Sequence, residues 1–205
     1  MDEIVDFHIP SCDESRKGYE AYNQKEMRGR IYFDAVMRVT QTWGDPSGMI
    51  IQMSILVRGW NYLFANFGFD ELENCIRRNL RNLNEFRYRD IDTLADTDIE
   101  RIEDLSGEFL NALRRTADNR RSAVSVAKAL HRLAPNFFPL WDQYIAGDYG
   151  CLYVADIAAS VYATFCKKMK IMADRVRHCV PTPDDRSLLK RIDEYNYSKY
   201  TMGWI

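Results

Sequence analysis

The chain has 205 residues, of which 46% are hydrophobic and 13% aromatic, enough to fill the core of one domain without a disulfide or metal staple. A formal net charge of −2 hides a strong segregation of acidic and basic segments along the sequence. Five widely spaced cysteines without a CxxC pair, and an acidic start without an apolar signal region, point to a cytoplasmic protein with free thiols.

Residues 1–15 carry five acids and no base and read as an acidic N-terminal segment, with 16–205 as a single all-α domain. Tyr19, Tyr22, Met27, Ile31, Ala35, Val36, Val39 and Trp43 form one stripe at helical spacing, which predicts a long first helix stopped by Gly44-Asp45-Pro46. Met49 to Phe67 is the most apolar run. Arg58 near its middle excludes a membrane span, so the run is read as a central buried helix. Asp70 with Glu73, and Thr97 with Glu100, each have capping-box spacing and predict the next two helix starts. A shorter helix is expected from Ser122 to Ala134, ending before Pro135. Asp142 then sits where another should begin. A long helix from about Leu152 to Arg177 and a last one after Pro181-Thr182-Pro183 complete the chain. No stretch alternates for long enough to be a strand. The expected fold is a single compact all-α domain of seven or eight helices around a buried central helix.

The charge blocks bound the partners. Residues 77–89 hold five arginines against Glu85, residues 90–108 eight acids against Arg101, and residues 114–132 six bases against Asp118. Such blocks either neutralise one another across the fold or present a basic groove to an anion or nucleic acid. No GxxxxGK[ST], GxGxxG or GxSxG motif is present, and no cofactor is implied. Three histidines and five cysteines show no metal-ligand spacing, so no metal site is expected.

Chemistry concentrates between Ser122 and Gly150. On a 3.6-residue period Lys128 shares a face with Arg121, Ser125 and Arg132. That face is either solvated or lines a cleft, where a desolvated lysine among arginines would become a usable nucleophile. Asp142 is a strong helix cap, and a carboxylate held by helix amides is also suited to stabilising positive charge on a sugar ring. Trp141, with Phe137, Phe138 and Tyr144, is either core or a platform for a base. On the apolar second helix Ser54, Arg58 and Asn61 make a polar stripe. Arg58 there is either ion-paired with an acid such as Asp34 or Asp142, or an anion-binding arginine at a pocket floor. Asp193, Glu194, Tyr195, Asn196 and Tyr197 form a C-terminal polar-aromatic cluster that either closes over the fold or faces a partner.

Lys128, Pro135, Pro139 and Asp142 resemble the lysine helix and proline-then-aspartate turn of the helix-hairpin-helix DNA glycosylases. The resemblance covers about 30 residues. Val124 and Val126 stand where that family carries phosphate-binding glycines, and the lysine-to-aspartate spacing is shorter than is usual there. It implies a lyase or hydrolase of the N-glycosidic bond in a nucleotide or nucleic acid. Lys128 would attack C1′ of a flipped-out nucleotide to form a Schiff base, and Asp142 would assist. Arg58, Arg121, Arg132 and Trp141 would form the substrate and anion site. The residues leave two other classes open: a non-enzymatic helical module (a homo-oligomer, or a regulatory or defence-system subunit), and a sequence-tolerant nucleic-acid binder.

Overall fold

The computed structural model describes residues 5–27, 29–60, 67–154, 156–179 and 186–205, without the side chains of 29–31, 33, 35 and 55–60. Among the described residues the chain forms nine α-helices, and the only β structure is one bridge between Phe67 and Arg115. The helices are α1 (Cys12–Lys25), α2 (Gly29–Gln41), α3 (Pro46–Trp60), α4 (Phe69–Arg87), α5 (Asp98–Ala112), α6 (Ala123–Leu133), α7 (Gln143–Asp148), α8 (Ala158–Val176) and α9 (Leu188–Asn196). A π-helical turn, Tyr197–Thr201, extends α9. No helix among the described residues is long and apolar enough to cross a membrane.

The expected long first helix is two helices. The backbone turns extended at Glu26, and Met27, assigned to the apolar stripe, is 91% exposed at the break. The two expected capping boxes are also absent. Gly68 precedes α4 and offers no side-chain cap, and Thr97 has helical dihedrals and caps nothing. The Asp98 carboxylate instead accepts from the Ala95 amide at 2.9 Å and from both Arg89 Nη atoms at 2.6 and 2.9 Å. The capping box that does form is at Ser11 and Glu14, where α1 begins inside the acidic segment. Glu14 accepts from the Ser11 backbone and hydroxyl, and these bonds hold its carboxyl down at about 2.

Among the described residues α6 is enclosed on several faces, with Val126, Ala127, Ala129, Leu130 and Leu133 buried. It packs on α2, α3 and α5, and α5 packs on α8. In α3, Met49, Ile50 and Met53 are buried while Ile51 is 54% exposed, so the described part of this helix is only half-enclosed. A second unit is laid against this bundle: α1 on α9, with the π turn touching both α1 and α7. The contact of α1 with α9 depends on Gly18. A Cβ there would lie 2.8 Å from Tyr195 Cδ2 and 2.9 Å from its Cα.

The expectation of five free thiols is corrected. Cys12 and Cys179 form a disulfide across 167 residues, so only Cys75, Cys151 and Cys166 are free, all buried. The charge blocks pair within the fold: Arg78 with Glu108 at 3.0 Å, Arg89 with Asp98, Arg101 with Glu85, and Arg120 with Asp118 at 3.2 Å.

Candidate active site

The Ser122 side chain accepts from the Ser125 amide and starts α6, and Arg87 Nη1 donates to the Leu133 carbonyl at its other end, at 2.9 Å. His131, on this helix, anchors the following turn. The Phe138 carbonyl can only accept, so at 2.6 Å it takes the proton of Nδ1, leaving Nε2 to accept from the Tyr32 hydroxyl at 2.7 Å. Burial then holds His131 neutral, its pKa driven down to about 3. The Tyr162 hydroxyl donates to the Pro139 carbonyl at 2.8 Å, and Trp141 Nε1 donates to the Ala123 carbonyl at 3.3 Å. Thus α2, α6 and α8 fix the turn that delivers Asp142.

Asp142 caps α7: Oδ1 accepts from the Tyr144 and Ile145 amides at 2.9 and 3.0 Å. Its other oxygen, Oδ2, accepts from the Thr201 hydroxyl at 2.6 Å. Lys128, half-buried on α6, lines the same cleft as Asp142. The cleft is a shallow one, with a cavity volume of about 90 Å³, below the roughly 300–1,000 Å³ usual for small-molecule sites. Leu140, Trp141 and Ile145 supply its apolar wall.

The opposite wall comes from α1 and α9. Tyr22, Glu26, Lys190, Asp193 and Tyr197 line it. Lys190 Nζ donates to Asp193 Oδ2 at 2.6 Å and to the Tyr22 hydroxyl at 3.1 Å, and lies 4.4 Å from the Tyr22 ring centroid. Burial opposes the Lys190 charge, but Asp193, Tyr22 and Glu194 outweigh it and hold the ammonium above the ordinary lysine range. Lys190 is therefore a fixed cation rather than a nucleophile. The Tyr197 hydroxyl donates to Glu26 Oε2 at 3.2 Å. Behind this wall Glu194 is fully buried between Arg186 and Arg191, at 2.6 and 3.0 Å.

The cleft therefore gathers three carboxylates, two lysines and two tyrosines around an apolar floor. The sequence pointed to Lys128, Asp142 and Trp141 among these. Trp141 is 2% exposed and stacks on Tyr153 at 4.5 Å, so it braces the wall and offers no open stacking face. Arg121 is exposed and does not line the cleft. Arg132 is 2% exposed and points toward α3, its Nη1 3.5 Å from the Met53 carbonyl, so the face it shares with Ser125 is turned into the core rather than into solvent. The Arg58 side chain lies outside the described residues. Glu26 and Lys190 went unnoticed, while Asp193 and Tyr197 belong to the C-terminal polar-aromatic cluster that the sequence singled out without tying it to the cleft. The available signal was spacing: 22 and 26, and 190, 193 and 197, are separated by the three or four residues that share a helix face, although Glu26 stands just past α1 and Tyr197 just past α9.

Comparison with protein-family models, curated proteins and solved structures finds no match to this chain.

Proposed function

We propose that this chain is an enzyme acting on the N-glycosidic bond of a nucleotide or nucleic acid, with Lys128 as nucleophile and Asp142 as the assisting carboxylate. The observation that supports this reading is that both groups line one partly enclosed cleft, on rigid elements, beside further carboxylates. Lys128 Nζ, as the neutral amine, bonds to C1′ while the bond from C1′ to the base nitrogen breaks. The base leaves with that electron pair and takes up a proton. Opening of the C1′–O4′ bond, with a proton delivered to O4′ and one lost from nitrogen, yields the Schiff base. Positive charge grows on the sugar along this path, and Asp142 and Glu26 are the anions placed to stabilise it. Lys190, neutralised by Asp193, keeps the cleft from being uniformly acidic.

The wall chemistry also bears on the substrate. Carboxylates repel phosphate, so the base and sugar enter the cleft and the phosphates stay outside it. The test is borohydride trapping of the chain on a panel of damaged-base and abasic oligonucleotides and free nucleotides. A covalent adduct that disappears in Lys128→Ala is expected. No adduct on any substrate, or an equal yield from Lys128→Ala, would retire the lyase and leave the helical interaction module as the better reading.

A further inference from the structure

Away from the cleft, the two ends of the fold bring three metal-binding side chains together. Cys12 opens α1, while His178 and Cys179 follow α8 in a 3-10 turn. One ligand atom from each lies within 4.8 Å of the others. Joined as they are, the two sulfurs form the Cys12–Cys179 disulfide, and His178 Nε2 lies 3.4 Å from Cys179 Sγ.

We propose that reduction of this disulfide converts Cys12, His178 and Cys179 into a three-ligand site for a thiophilic divalent cation of the zinc class. The geometry needs little change. With Zn–N of about 2.0 Å and Zn–S of about 2.3 Å, a tetrahedral nitrogen–sulfur edge is about 3.5 Å, close to the observed 3.4 Å. The sulfurs need only part to an edge of about 3.8 Å. Cys12 and His178 are exposed, so a reductant and an ion both reach the site. Two thiolates and an imidazole select a soft or borderline cation over calcium or magnesium. The fourth position is left for water or an outside ligand.

The step balances. A dithiol reductant gives two electrons and two protons to the Cys12–Cys179 bond and is itself closed to a disulfide. Binding of the dication then displaces the two thiol protons. An oxidant of the disulfide class, taking two electrons back, restores the bond and expels the ion. In both states α1 is tied to the end of α8, by sulfur in one and by metal in the other. Because α1 carries Tyr22 and ends at Glu26, its C-cap, either tie steadies one wall of the cleft. The site itself does not depend on what that cleft catalyses.

The experiment uses the full chain, reduced with dithiothreitol, desalted under argon, and titrated with Zn2+ against a chromophoric chelator, with Co2+ as a spectroscopic substitute. One Zn2+ per chain and thiolate-to-cobalt charge-transfer absorption are expected, with release on reoxidation. His178→Ala, which keeps both thiols and still forms the disulfide, weakens binding at least tenfold. Cys12→Ser abolishes it. A reduced chain that binds no stoichiometric zinc overturns the proposal, whether or not it stays folded. So does unchanged affinity in His178→Ala, or binding that survives Cys12→Ser, which would belong to the buried thiols.

Discussion

At the scale of single residues, Asp142 carries two loads that substitution separates. As a cap it holds two amides of α7, and as a carboxylate it faces the cleft. Asparagine caps as well as aspartate, so Asp142→Asn leaves stability within a few tenths of a kcal/mol, whereas Asp142→Ala costs about 1 kcal/mol. Both remove the charge, and adduct formation falls by roughly 10²–10³-fold in each. Urea denaturation beside single-turnover trapping checks this; activity retained in Asp142→Asn would leave the carboxylate only its structural role. His131 makes a second test. It is neutral in the fold down to about pH 3, while the unfolded chain takes up that proton below about pH 6.5. The unfolded state therefore binds more protons across this window, and its contribution to stability, full above pH 6.5, is lost as pH falls. The slope approaches 1.4 kcal/mol per pH unit at most. His131→Asn keeps a donor for the Phe138 carbonyl but cannot ionise, so its stability changes less between pH 7 and pH 5, a range where most carboxylates remain charged. Equal slopes in the two proteins would show that His131 is already accessible to protons.

At the scale of helices, local signals were legible and relayed ones were not. The Ser122 start of α6 and the Asp142 start of α7 could be read because a cap acts within three residues of itself. The boxes at Asp70 and Thr97 failed because α4 starts one residue before Asp70, with Gly68 at its cap and Glu73 accepting from Ser47 instead, and because Thr97 already has helical dihedrals. The polar face of α6 was also ambiguous. Spacing placed Lys128 and Arg132 together, but only packing shows that Arg132 turns toward α3 while Lys128 lines the cleft. Gly18 gives the sharpest test at this scale. Alanine in a helix interior gains about 1 kcal/mol over glycine, yet a methyl at Gly18 would meet the Tyr195 backbone at 2.9 Å. Overpacking against backbone costs about 1–3 kcal/mol, so Gly18→Ala is expected to destabilise by about 0–2 kcal/mol net. It would also loosen α1 from α9, read as faster hydrogen exchange in both helices. A stabilised variant would mean that the two helices slide apart without cost.

At the scale of the whole molecule, the all-α architecture was written in the periodicity, but the second wall of the cleft was not. Tyr22 and Lys190 meet across 168 positions, and a helical stripe reveals which face is buried without revealing which helix covers it. The disulfide was hidden for the same reason: Cys12 and Cys179 share no local pattern, and five cysteines without a paired motif read as free thiols. Its effect on stability follows from chain entropy. A bond that closes a loop of 167 residues restricts the unfolded ensemble strongly, and removing such a bond typically costs about 2–5 kcal/mol. Double replacement, Cys12→Ser with Cys179→Ser, should lower the urea midpoint accordingly while leaving the buried Cys75, Cys151 and Cys166 unaffected. The loss should not be uniform. The α2–α6 and α8 bundle keeps its own core, whereas α1 loses its covalent tie, so amides of α1 and α9 should exchange first and Lys128 adduct formation should fall with them. If exchange instead quickens evenly across all nine helices, α1 and α9 are not a separable wall, and the cleft is as stable as the core beneath it.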